Sequence, residues 1–268
     1  MRSPYLESVG GMWRSHAAAP LRASDIALYH YITHKAHANG WRMPIFVANG
    51  LMCPMLFEKS TLETARKRLV CHGLIECNIP KGNCSCPSYM IKDVNETKTG
   101  NDTLIEPKPA NAKAKKEAEE QEKYFLEAMT NLWTAFEEEA FNANEIALYV
   151  FLLHLAETHK WTMPFRCHDS EIAPVIMRIG ALKEAREVLA QRGLISFDLG
   201  DPKKTAPKYV ILIGDNKPLT VAEKKAETPS IDPLHGTDAT IQPANDYLAG
   251  FAPQETDRES QKEKGGKV

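Results

Sequence analysis

A nineteen-residue phrase occurs twice in this chain. IALYHYITHKAHANGWRMP at 26–44 returns as IALYVFLLHLAETHKWTMP at 146–164, an offset of 120 residues. The offset holds without a gap from Tyr5/Phe125 to Ile91/Ile211, with 24 identities over 87 aligned pairs. Trp13 returns as Trp133, and Leu62, Ala65, Arg66 and Leu69 as Leu182, Ala185, Arg186 and Leu189. Gly73-Leu74-Ile75 returns as Gly193-Leu194-Ile195. Stacked solenoid units run to about 20–50 residues, so this period is too long for one of them. Two copies of one folded unit fit it.

A chain of 268 residues accommodates two such units of about 100 residues each, with tails. The expected organisation is a first domain over 1–94, a linker over 95–122, a second domain over 123–213 and a tail over 214–268. The tail is rich in Pro, Thr, Glu and Lys and buries too little to fold alone, with DYLAGF at 246–251 its one apolar island. The linker begins polar and ends in an Ala/Lys/Glu run of helical propensity. As a flexible coil it would span roughly 30 Å, close to the ~34 Å between half-sites one DNA turn apart. No run of 18 apolar residues occurs, and the N-terminus lacks the apolar core of a signal peptide. A cytoplasmic protein with no membrane partner is expected.

Within one copy, Ser24 and Asp25 suit a helix start and Asn39-Gly40 a stop. Trp41–Val47 is short and β-prone, with Pro44 placing it at an edge. Residues 49–56 suit a second helix. Ser60-Thr61-Leu62-Glu63 has the form of a capping box opening a third helix, which Gly73 ends. Ile75, Cys77 and Ile79 then alternate with polar residues, Pro80–Asn83 is turn chemistry, and Ser88–Ile91 is a returning strand. The predicted class is mainly α with small β-hairpins (α+β).

Helix, strand, helix, turn, helix and hairpin is the order of a winged helix. IALYHYITHKAHANGW, KSTLETARKRLVCHGLIEC and a hairpin ending in YMI resemble the winged-helix domains of phage and plasmid replication proteins, the DnaD-type N-terminal domain among them. Plasmid initiators with two winged helices in one chain are a second likeness. The chain departs from the DnaD type in lacking a recognisable helical second domain. The resemblance implies two tandem winged helices and a double-stranded DNA-binding protein of the replication-initiator type, from a phage, plasmid or integrated element. A transcriptional regulator, or an interaction module in which the second copy mediates assembly, stays open, as do replication proteins and a second copy of the chain as partners.

With Leu62, Ala65 and Leu69 turned inward, the third helix shows Ser60, Thr61, Glu63, Thr64, Lys67, Arg68 and Cys71 outward. Ser60, Thr61, Thr64, Lys67 and Arg68 are the candidates for the major groove, with Lys59, Arg66 and Lys81 holding phosphates. For Arg66 and Arg186 a bridge to an acidic neighbour inside the domain is the equal alternative. Residues 1–94 carry 11 Lys/Arg against 6 Asp/Glu, net +5, whereas 123–213 carry 10 against 12, net −2. The first copy therefore suits a polyanion. In the second copy Arg178, Lys183, Arg186, Arg192, Lys203 and Lys204 offer a second, weaker contact around a face that holds Glu184 and Glu187.

His34 and His154 lie beside apolar neighbours and are expected to make core hydrogen bonds, and the four tryptophans to be core residues. Cys71, Cys77, Cys84 and Cys86, with His72, fall close enough around the hairpin for zinc. The second copy has none of these thiols, so reduced cysteines and no cofactor are expected. No phosphate-binding glycine loop, nucleophile elbow or HExxH is present, and no enzyme is expected.

Overall fold

Ser3 opens the first helix, α1 (Pro4–Ala18): its Oγ accepts from the Leu6 N–H at 3.4 Å, and Pro4 occupies the first turn, where no N–H is missed. Tyr5, Leu6, Val9, Met12 and Trp13 recur every three or four residues and are buried. The same inward spacing in the sequence marks this helix. In the computed structural model, residues 3–56, 58–80, 86–92, 112–176, 178–200, 205–213 and 217–218 are described. Lys81, Cys84, Lys203, Lys204 and the island at 246–251 lie outside them.

α2 (Ala23–Ala38) is buried on almost every side, which makes it a central helix rather than an amphipathic surface one. It starts one residue before Ser24. Ser24 therefore lies inside the first turn rather than capping it, and its hydroxyl donates to the Asp25 carboxylate at 3.4 Å; that carboxylate also reaches back to accept from the Arg22 N–H at 2.9 Å. Gly40 and Trp41, with φ 62° and 60°, turn the chain out of the helix. An edge strand follows, β1 (Ile45–Phe46), then α3 (Asn49–Leu56), α4 (Lys59–Cys71), β2 (Ile75–Asn78) and β3 (Ser88–Ile91). The sheet is antiparallel, in the order β1-β3-β2. Tyr89 stands opposite both Ile45 and Cys77.

The second half continues with α5 (Ala112–Glu138), α6 (Ala143–Thr158), β4 (Phe165–Arg166), α7 (Asp169–Ile172), α8 (Ile179–Gln191), β5 (Ile195–Asp198), β6 (Lys208–Ile213) and β7 (Lys217–Pro218). Its strand order is β4-β6-β5, with β7 added on β6. Registers repeat at the sequence offset: Ile75 faces Ile91, and Ile195 faces Ile211. Asn142 caps α6, accepting from the N–H groups of Asn144 and Glu145, while Glu145 accepts from the Asn142 N–H at 2.7 Å. The chain is thus mainly helical with small antiparallel sheets. Among the described residues no helix is long and apolar enough to cross a membrane.

Residues 1–224 form one compact unit. α2 packs directly on α6, and one continuous buried cluster joins residues of both halves. The reach of a coiled tether therefore does not set the spacing of the halves; this packed interface does. Its last stretch, from Ala112, is already helix α5. Trp13 of α1 stacks on His154 of α6 at 4.9 Å, and Trp133 of α5 stacks on His34 of α2 at 5.1 Å. Trp13 also meets Phe151 at 5.7 Å, and Trp133 meets Tyr31 at 5.4 Å. Tyr5 lies 5.8 Å from its own equivalent, Phe125. His34 and His154 thus each stack on an indole from the other half.

Candidate nucleic-acid interface

α4 buries Leu62, Ala65, Arg66 and Leu69 against α2 and α3. Its start differs from the sequence expectation. The helix begins at Lys59 behind Glu58, so Ser60 lies inside the first turn, where its hydroxyl donates to the Glu58 carboxylate at 3.0 Å. Thr64 donates back to the Ser60 carbonyl at 2.8 Å. The Ser60/Glu63 capping box is therefore not formed.

Lys59, Ser60, Glu63, Thr64, Lys67 and Cys71 are exposed and Thr61 is half-buried. Neither Lys59 nor Lys67 meets a carboxylate among the described residues. Arg68 is more constrained. Its Nη1 donates to the Asp25 carboxylate at 3.0 Å, and only 26% of its side chain is exposed while that of Asp25 is fully buried. Burial pushes the Asp25 carboxyl up, and the Arg22 N–H and the Arg68 guanidinium pull it back toward ionisation. Arg68 thereby ties α4 to the start of the central helix α2. Nothing in the separation of residues 25 and 68 announces this pair.

Arg66 and Arg186 leave the exposed set. Arg66 is 4% exposed; its Nε donates to the Tyr89 hydroxyl at 2.7 Å and its Nη2 to the Asn49 side-chain oxygen. Arg186 makes the same bond to Tyr209 at 2.7 Å and pairs with Asp169. A buried guanidinium cannot reach phosphate, so both bridge helix, neighbouring helix start and strand. The two sites differ in charge. Asp169 neutralises Arg186, whereas the equivalent residue in the first half is the neutral Asn49. Among the described residues no carboxylate pairs with Arg66, so its charge adds to the positive field beneath α4. Comparing positions 49 and 169 in the sequence would have exposed this difference.

The second face has another character. Arg178, Lys183, Glu184 and Glu187 are exposed, with Lys183 3.9 Å from Glu187, and Ile179 is 81% exposed. Arg192 pairs with Glu139 and lies 5.3 Å from the Phe141 ring, so it belongs to the α5–α6 corner rather than to an open cationic face. Among the described residues Cys71, Cys77, Cys86 and Cys167 are free thiols, and burial pushes the Cys77 thiol up. No group of three or more His, Cys, Asp or Glu among those residues is placed to hold a metal ion.

Comparison with protein-family models, with curated proteins and with solved structures returned no match. The functional reading therefore stands on the geometry and on the resemblance carried by the sequence.

Proposed function

We propose that this chain is a double-stranded DNA-binding protein built from two winged-helix units, and that α4 enters the major groove. The observation that carries the reading is the exposed α4 face. Among the described residues Lys59 and Lys67 stand there without carboxylate partners, beside the hydroxyls of Ser60, Thr61 and Thr64 and above Arg66, whose neighbour at position 49 is neutral. Lysines placed so neutralise phosphates, and hydroxyls near a helix start meet base edges or phosphates. Arg68, braced by Asp25, presents its remaining donors with little conformational freedom to lose. Resemblance to phage and plasmid replication proteins supports a role in replication initiation.

The test is fluorescence anisotropy of the full chain with mixed-sequence duplex DNA at rising salt. Log affinity should fall linearly with log salt, by about 0.9 per phosphate contact. Lys59→Glu/Lys67→Glu should abolish binding without lowering the melting temperature, because both side chains are exposed. No binding to any duplex at low salt would refute the reading. The rival reading gives α8 to a protein contact, through Ile179 exposed among Glu184 and Glu187. Retention of a protein partner by the Lys59→Glu/Lys67→Glu chain would point that way.

A further inference from the structure

The contacts between the halves are reciprocal. Trp13 meets His154 and Phe151, while Trp133 meets His34 and Tyr31. Each pair is the other with the offset of 120 exchanged, and Tyr5 meets Phe125, its own counterpart. A translation or a screw step would join one set of residues to a different set on the next unit. Only an operation that undoes itself when applied twice gives reciprocal pairs, and that is a two-fold axis. The axis passes between α2 and α6, near Tyr5 and Phe125.

α4 packs on α2, α2 on α6, and α6 on α8. Neighbouring packed helices lie about 8–10 Å apart. Three such steps place α4 and α8 up to about 24–30 Å apart, the scale of the ~34 Å between successive major grooves on one side of a duplex. Because the axis relates the two helices, they cannot meet two half-sites in the same orientation with equivalent contacts.

From this geometry we infer that the target is a DNA site with two arms in inverted orientation, about one helical turn apart, and with unlike sequences. The inference rests on the DNA-binding reading above. The unlikeness follows from an exchange of charges. Where α4 has Lys59, Thr64 and Lys67, α8 has Ile179, Glu184 and Glu187; where the first half has Glu58 and Glu63, the second has Arg178 and Lys183. Arg178 and Lys183 hold the phosphates of the second arm from displaced positions. Glu184 and Glu187 accept hydrogen bonds from cytosine amino groups, a readout open to carboxylates but not to lysine. One chain thus supplies what a symmetric dimer supplies on a palindrome, with the symmetry broken between the arms.

The experiment is selection by the full chain from duplexes with a random core of about 30 base pairs. Sites with two inverted, unlike arms are expected. Reversing the second arm of a selected site at constant spacing should weaken binding at least about tenfold. Arg178→Glu/Lys183→Glu should erase the advantage of a two-armed site over a one-armed one. Direct repeats, a single arm, or indifference to reversal would overturn the inference while leaving DNA binding intact. Failure to bind any duplex at low salt would overturn both.

Discussion

His30 is fully buried on α2, and among the described residues neither ring nitrogen has a hydrogen-bond partner. Burial, with His154 adding to it, pushes its pKa from 6.5 down to about 3. The folded protein therefore holds it neutral, while the unfolded chain takes up a proton below about 6.5. Titration of His30 does not change stability above that value, and stability is lost as pH falls through the window from 6.5 to about 3. The slope approaches 1.4 kcal/mol per pH unit for one proton. Between pH 7 and pH 5 His30 alone should cost about 2 kcal/mol. The second half has Val150 at the equivalent position, also fully buried, so the fold accepts a branched apolar residue there. His30→Val should raise stability at pH 7, by about 1–3 kcal/mol, by removing buried groups without partners. It should also flatten the acid limb by about 2 kcal/mol between pH 7 and 5. Urea unfolding followed by tryptophan fluorescence measures both. His34, pushed down to about 4, and His154 contribute to wild type and variant alike. Equal pH slopes for the two proteins would refute the reasoning.

Other outcomes follow from the same contacts. Trp13→Ala and Trp133→Ala should each cost about 3–5 kcal/mol, and because the two sites are equivalent, urea midpoints should fall by similar amounts. Arg68→Ala strands a buried carboxylate at Asp25 and should cost about 1–3 kcal/mol at pH 7; the loss should shrink in melts toward pH 4, where protonation removes the buried charge. Asn49→Asp places beside Arg66 the carboxylate that Asp169 gives Arg186. Anisotropy at low salt should then show DNA binding weakened about twofold to fivefold, with thermal stability near wild type.

Much of each half was legible in the chain. Gly73 and Gly193 follow helix ends with φ 67° and 66°, and Asn39-Gly40 marks the end of α2. Such signals act over three or four residues, so they survive without tertiary context. Helix starts were less legible. Ser24 and Ser60 are good caps by type, yet α2 and α4 begin earlier: Asp25 accepts from the Arg22 N–H, and the Ser60 hydroxyl is drawn to the Glu58 carboxylate. The candidate face was legible as a set of outward positions, since helical spacing separates Leu62, Ala65 and Leu69 from Lys67. The placement of Arg66 was not, because a long arginine on an inward edge either leaves the core or finds partners within it. Tyr89 and Asn49 decide that, and both lie far along the chain.

The sequence by itself determined that one stretch occurs twice, roughly where α2, α3, α4 and the strands after them lie, and that the first copy is the basic one. Local spacing, turn residues and charge are properties of neighbours along the chain. Tertiary structure decided that the halves share a core, that Trp13 and Trp133 cross between them, that Arg66 and Arg186 are buried, and that Asp25 braces Arg68. Each of those depends on which surfaces meet. An indole packs equally well inside its own half or against another, and only the two-fold pairing of α2 with α6 selects between them.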